Sequence, residues 1–211
     1  MDDQFGTHRL RVALGRAELP TAGSIDSQSV KAADTVGAAS RGYDSGKRIN
    51  GRKRHIAVDT LGLVLAVLVP AASVQDREGA YRLLALLRER FSTITLIWAD
   101  GGYAGRLVNW AHTVLAMTLT IVKRSDDTTG FVVLPRRWVV ERTFGWLLRY
   151  RRLVRDYERR PEHHEAMVLW AAVAIMTQQL TRTKSNAPPH PRWGRPRTIA
   201  STPQRQDQQA A

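Results

Sequence analysis

The sequence predicts an α/β fold, a mixed sheet with flanking helices. Short apolar runs bounded by turn residues alternate with stretches of helical periodicity. The strand-like runs come in close succession at first and are later separated by helices. With 211 residues, 43% of them hydrophobic, there is enough apolar material for one packed domain.

Residues 1–23 have poor helical periodicity, carry Pro20 and Gly23 near their end, and read as a leader without its own core. Residues 24–31 form a short strand holding Asp26. Residues 32–53, rich in Gly, Ser, Lys and Arg, read as a basic loop. His55 to Asp59, the turn Thr60-Leu61-Gly62, and Leu63 to Val69 form a hairpin. Its second arm never alternates, which predicts burial on both faces. From Gln75 the pattern is helical, with Leu83, Leu84, Leu86 and Leu87 on one side and Arg82, Arg88, Glu89 and Arg90 on the other. Thr93 to Ala99 is a strand ending at Asp100, Tyr103 to Val114 a helix, and Met117 to Val122 another strand. Arg136 to Arg160 and Glu162 to Arg182 read as helices separated by Pro161. Residues 183–211 hold five of the nine prolines and little to bury, so a disordered tail is expected. The division is a leader over 1–23, an α/β domain over 24–182 and a tail over 183–211. Strand, hairpin, helix, strand, helix, strand, helix, helix is the order of a ribonuclease-H-like sheet.

Charge narrows the partners. A formal charge of +13 and a pI near 11.1 give the footprint of a protein that meets a polyanion. The absence of cysteine excludes disulfides and thiolate metal sites and suits a reducing cytoplasm. No apolar run follows Met1-Asp2-Asp3, so no signal peptide is read. The longest apolar run, Ala166 to Met176, has 11 residues against the roughly 20 that span a bilayer. No membrane partner is expected, and the expected location is cytoplasmic and nucleoid-associated.

Three carboxylates carry the chemistry. Asp26 follows Ile25 in one strand, Asp100 follows Leu96-Ile97-Trp98-Ala99 in another, and Glu141 lies in an arginine-studded helical stretch. Cutting a phosphodiester by in-line attack builds charge on attacking and leaving oxygens, and two divalent ions can stabilise both. Hard cations such as Mg²⁺ take oxygen ligands, so Asp26, Asp100 and Glu141 are the candidate catalytic and metal-binding residues. Residues 136–160 hold nine arginines and three acids, and the stretch from Arg41 to His55 adds six basic residues. Arg52, Lys53, Arg54, Arg137, Arg142, Arg149, Arg151 and Arg152 are therefore candidate DNA contacts.

Other features read as structural. Asp59 serves the hairpin turn, and His163-His164-Glu165 is a helix start because neighbouring helical residues point about 100° apart. Gly42 to Arg48 is too short for a phosphate loop and ends in Arg. Trp138 and Trp146 are read as core packing ahead of base stacking.

The chain resembles the catalytic domain of bacterial insertion-sequence transposases of the DDE class, in the group named after insertion sequence five. The likeness runs from about Gly23 to Arg182. It rests on Ile25 to Lys31, Gly51-Arg52-Lys53-Arg54-His55 with Val58-Asp59 and Gly62, Ala99 to Tyr103, and Val140 to Trp146 followed by Arg149 to Leu153. It implies that Asp26, Asp100 and Glu141 form the metal-binding triad for two Mg²⁺ or Mn²⁺ ions. It also implies that element ends, the terminal inverted repeats, are cut and the 3′ hydroxyl is joined to target DNA. Double-stranded DNA is the implied partner, bound by a homodimer, with an upstream-frame product or full-length transposase as a further partner. Two departures stand out. Leu134 and Leu148 occupy positions where the wider superfamily's signature helix has Tyr and Lys, with Arg149 or Arg152 as replacement cation. Only about 25 residues precede Asp26, which points to a frameshift partner or a truncated copy. A catalytically silent DNA-binding product is the alternative to an active transposase domain.

Overall fold

The computed structural model describes residues 4–122 and 138–184. One mixed sheet contains β1 (Ala22–Lys31), β2 (Gly42–Asp44), β3 (Ile49–Asp59), β4 (Val64–Leu68), β5 (Leu96–Ala99) and β6 (Thr118–Ile121). Strand β1 pairs antiparallel with β3 and parallel with β5. Beyond β3 lie β2 and β4, both antiparallel to it, and beyond β5 lies β6, parallel. The helices are α1 (Gln4–Ala13), α2 (Asp76–Arg90), α3 (Arg106–Leu115), α4 (Trp138–Leu147), α5 (Arg151–Val154) and α6 (Pro161–Lys184). Three long antiparallel strands with the short β2 at their edge, followed by two helix-separated parallel ones, form the ribonuclease-H-like sheet that the element order implies.

Alternation along the strands sorts side chains into two cores. Ile25, Ala57, Leu65, Ile97 and Ala99 pack against Leu83, Leu84 and Leu87 of α2 and Leu107 of α3. On the other face Ile56, Val58, Val64 and Val67 meet Val140, Phe144 and Leu147 of α4 and Val168 and Ala172 of α6. Strand β4 contributes to both cores, as its unbroken apolar run predicts. Val168, Ala171, Ala172 and Met176 of the apolar helix are buried, while Trp170 is 69% exposed. Among the described residues no helix is long and apolar enough to cross a membrane.

Three segments differ from the sequence reading. The basic loop holds strand in its second half: β2 lies within it, β3 starts at Ile49, and Arg52, Lys53 and Arg54 are buried within β3. The long arginine-rich helix stops at Leu147 and continues as a loop with the short α5, because Asp156 is drawn into a bridge with Ala32 beside Arg52. The leader contains α1, whose Leu10 is buried with Leu63 and Met176. Most of the expected tail, residues 185–211, and the Leu134 position lie outside the described residues.

His55 is fully buried opposite Ser27, under α2. The helix sits so close that a Cβ on Gly79 would stand 2.5 Å from the imidazole. Burial pushes the His55 pKa down to about 4; Asp76 opposes this, and Lys53 and Lys47 reinforce it. The folded state therefore holds His55 neutral, whereas the unfolded chain takes up a proton near pH 6.5. Stability from this residue is complete above pH 6.5 and is lost as pH falls toward 4, by up to about 3 kcal/mol. Melting temperature should fall across that window, and His55→Gln should flatten the slope there. An unchanged slope in a folded variant would remove His55 as the cause.

Candidate active site

The parallel register of β1 and β5 brings two of the three carboxylates together. Ala22, Gly23 and Ser24 stand opposite Leu96, Ile97 and Trp98. Continued two residues beyond the last paired positions, the same register sets Asp26 level with Asp100, which directly follows β5. Ile25, Ile97 and Ala99 point into the α2–α3 core, so alternation turns Asp26 and Asp100 to the face that α4 covers. Both are half-exposed, Asp26 midway along β1 and Asp100 just past the end of β5.

Local hydrogen bonds fix these carboxylates. Asp26 Oδ1 accepts from the Ser27 N–H at 2.7 Å. Asp100 caps the 3-10 turn Gly101–Tyr103, its Oδ1 accepting from the Gly102 N–H at 2.8 Å. Tyr103 at the end of that turn is buried. Burial first, then the negative charges of Asp26 and Asp76, with Asp100 adding to them, hold its phenol protonated well above the usual range.

Glu141 lies in the first turn of α4 and is exposed. Its helix packs against the sheet through Val139, Val140, Phe144 and Leu147. Among the described residues no three His, Asp or Glu side chains are gathered into a metal-holding group. The structure thus brings Asp26 and Asp100 to one level and sets Glu141 on the helix facing them.

The basic residues divide sharply. Arg52 pairs with Asp156 at 3.0 Å and donates to the carbonyls of Ser40, Glu158 and Arg159. Lys53 reaches Asp76 at 3.0 Å and the Val74 carbonyl at 2.9 Å. Arg54 donates to the Leu153 carbonyl and to Gln28, and burial pushes its pKa down to about 10. These three, read from sequence as DNA contacts, are interior residues that donate to groups within the fold, with Arg54 Nε left buried and unpartnered. Arg142 is also turned inward: it donates to the Leu61 carbonyl at 2.8 Å and lies between the rings of Trp138 and Trp146, 4.3 and 4.5 Å from their centroids. The two indoles therefore hold a guanidinium, and Trp138 is 40% exposed rather than part of the core. Arg149, Arg151 and Arg152 are exposed, with Arg152 paired to Glu158. Because α4 ends at Leu147, neither Arg149 nor Arg152 shares its helical face with Glu141. Arg137 lies outside the described residues.

Sequence reasoning overlooked the supporting residues. Asp156 is fully buried, accepting from Arg52 and from the Glu158 N–H at 2.9 Å, and it lies 2.8 Å from His164 Nδ1. Ser27 donates to Asp76 at 2.6 Å, tying β1 to the start of α2. Asp59 closes the hairpin turn as expected, but it is also buried and paired with Arg11. An acid set among arginines, as Asp156 is directly after Arg155, is the one signal that could have found them.

The family model described as the transposase DDE domain matches residues 18–176, a span that includes all three carboxylates. The chain belongs to the transposase DDE domain family. Its DDE domain is 30% identical over 139 residues to an inferred transposase for insertion sequence element IS402 from Burkholderia cepacia, covering 63% of this chain and 65% of that protein. The chain thus spans less than two thirds of that relative's length. Similar solved structures include a simian T-cell lymphotropic virus intasome in complex with PP2A regulatory subunit B56 gamma, at 20% identity and a TM-score of 0.49, covering 72% of this chain and 48% of that one. The catalytic core domain of BIV integrase is 16% identical with a TM-score of 0.43, covering 73% and 82% respectively.

Proposed function

We propose that this DDE domain cleaves the ends of an insertion element and joins the freed 3′ hydroxyl to target DNA. The observation that carries the reading is the level pairing of Asp26 and Asp100 on adjacent parallel strands, facing the helix of Glu141. Family membership supports the same role. The donor set consists of carboxylate oxygens without thiolate or imidazole, which fits Mg²⁺ or Mn²⁺. Asp26 and Asp100 would hold such ions, with Glu141 completing the set from α4. The chemistry supplied by two bound ions is stabilisation of charge on the attacking and leaving oxygens. The Ser27 and Gly102 N–H groups hold one oxygen of each aspartate in place. Gly101 leaves open space beside Asp100, where a DNA backbone can approach.

Element terminal repeats and target DNA are the substrates in this reading, and a homodimer on DNA, with full-length transposase or an upstream-frame product, is the assembly. The test is incubation of the full chain with Mg²⁺ and a plasmid bearing the repeats that flank its coding sequence. Strand cuts at the repeat ends and joined products support the proposal. Binding without cutting at any Mg²⁺ or Mn²⁺ concentration identifies the catalytically silent DNA-binding product instead.

The exposed Arg149, Arg151 and Arg152 supply the electrostatic part of DNA binding in this reading. Changing all three to Ala should weaken binding to every sequence alike. It should also lower the slope of log affinity against log salt by roughly one for each phosphate that is no longer neutralised. A folded variant with the wild-type slope would place the DNA on another surface.

A further inference from the structure

The turn between β3 and β4 links two parts of the chain that the proposed chemistry leaves unconnected. Asp59 is fully buried at the start of this turn. Its Oδ1 accepts from the N–H groups of Leu61 and Leu63, both at 2.9 Å, and so closes the turn. Its Oδ2 is paired with the guanidinium of Arg11 on α1. Arg11 is itself buried, and its Nε donates to the Ala17 carbonyl at 2.8 Å. From the other side, α4 holds the same turn. Arg142 donates to the Leu61 carbonyl at 2.8 Å, and Thr143 Oγ1 donates to the Gly62 carbonyl at 2.9 Å. Gly62 has a positive φ of 87°, and a Cβ there would stand 2.8 Å from Thr143 Oγ1. Turn and helix are in direct contact.

We propose that Arg11 is a positioning residue for Glu141: by pairing with Asp59 it fixes the turn that seats α4, and so sets the Glu141 carboxylate relative to Asp26 and Asp100. The proposal rests on the reading of Glu141 as the third carboxylate. A buried carboxylate stripped of its cation must rearrange or draw in water. Asp59 cannot do either without disturbing the Leu61 and Leu63 N–H groups it holds. Their neighbouring carbonyls are the acceptors for Arg142 and Thr143, and Glu141 is the residue before Arg142 on the same short helix. A shift of the turn is therefore carried to Glu141 by a rigid element. The sandwich of Trp138, Arg142 and Trp146 supplies an optical reporter at the same place.

The test uses the full chain with Arg11→Met, Arg11→Lys and Thr143→Val. Single-turnover cleavage of the repeat-bearing plasmid is followed against Mg²⁺ concentration, together with DNA affinity. Emission from Trp138 and Trp146 is isolated by difference from a Trp138→Phe, Trp146→Phe control. Arg11→Met and Thr143→Val should each lower the cleavage rate at least tenfold and raise the Mg²⁺ needed for half-maximal rate. They should shift the indole emission and leave DNA affinity within twofold, and Arg11→Lys should recover most of the rate. A folded Arg11→Met with wild-type rate and emission would overturn the proposal, as would a loss that Lys does not recover and that tracks weakened DNA binding. If Arg11→Met does not fold, Thr143→Val decides, and wild-type behaviour there overturns it. If the wild-type chain cuts no DNA, the functional reading fails separately; the emission comparison still decides the link, and unshifted emission refutes it.

Discussion

Asp26→Asn, Asp100→Asn and Glu141→Gln should each reduce Mg²⁺-dependent cleavage by at least about a thousandfold, about 4 kcal/mol at the barrier. Each change keeps the shape of the side chain and removes the charge that a hard cation needs. Asp26 and Asp100 remain able to accept from the Ser27 and Gly102 N–H groups through an amide oxygen, so the fold should not change. Affinity for DNA should stay within about twofold, because none of the three is a phosphate donor and loss of a negative charge does not repel a polyanion. Measuring cleavage and binding on the same preparations separates the two. Retained cutting by any one variant removes that residue from the set.

The second large effect is on stability. Arg52→Met or Asp156→Ala should destabilise the domain by about 3–5 kcal/mol, because each leaves its buried partner charge unpaired. The side chains of both are fully buried, and Asp156 also receives the Glu158 N–H and lies beside His164. For a chain of this size the melting temperature should drop by roughly 10 °C. Burial raises the Asp156 pKa, but His164, the Glu158 N–H and Arg52 together hold it below the ordinary carboxylate value. Its contribution is therefore present above that ordinary value and lost as pH falls through the lower folded value. This window lies below the one governed by His55. Calorimetry from pH 7 to pH 3 should resolve two steps of lost stability, and Asp156→Ala should shrink the lower one, to which Asp44 and Asp76 also contribute. A melting temperature within a degree or two of wild type would show that the buried pair is dispensable.

The legible parts of this fold are those where one residue type reports one environment. Leu96-Ile97-Trp98-Ala99 followed by Asp100-Gly101 can only be a buried strand that stops, and β5 ends at Ala99. The unbroken run in β4 signalled two-sided burial for the same reason. Strand β3 reads as loop over Ile49 to Lys53 because the interior positions at that end are cations. A buried arginine satisfied by Asp156 and four other acceptors looks in sequence like an arginine facing solvent. The end of α4 is hidden likewise. Nothing between Leu148 and Arg160 is a strong helix breaker, and the break comes from Asp156 reaching a partner about a hundred positions earlier in the chain. Helix α1 lacks a clear apolar stripe, since Leu10 and an ion pair do the anchoring. For the candidate site, Asp100 is readable from the strand end it follows, and Asp26 from the apolar Ile25 before it, although it stands midway along β1. Their common level is not, because it depends on a register set by pairing partners rather than by either segment.

That register bears on which changes of length the domain can absorb. Asp26 faces α4 only because Ile25 faces α2, and the same parity holds for Ala99 and Asp100. Adding or removing one residue inside β1 ahead of Asp26, with Ile25 and Asp26 shifted together, would swing the carboxylate into the apolar layer and turn an isoleucine outward. An insertion between Ala33 and Arg41 leaves that parity untouched. Copies of this domain can therefore drift in the length of their connecting segments, while the count of residues between sheet entry and carboxylate is fixed by geometry.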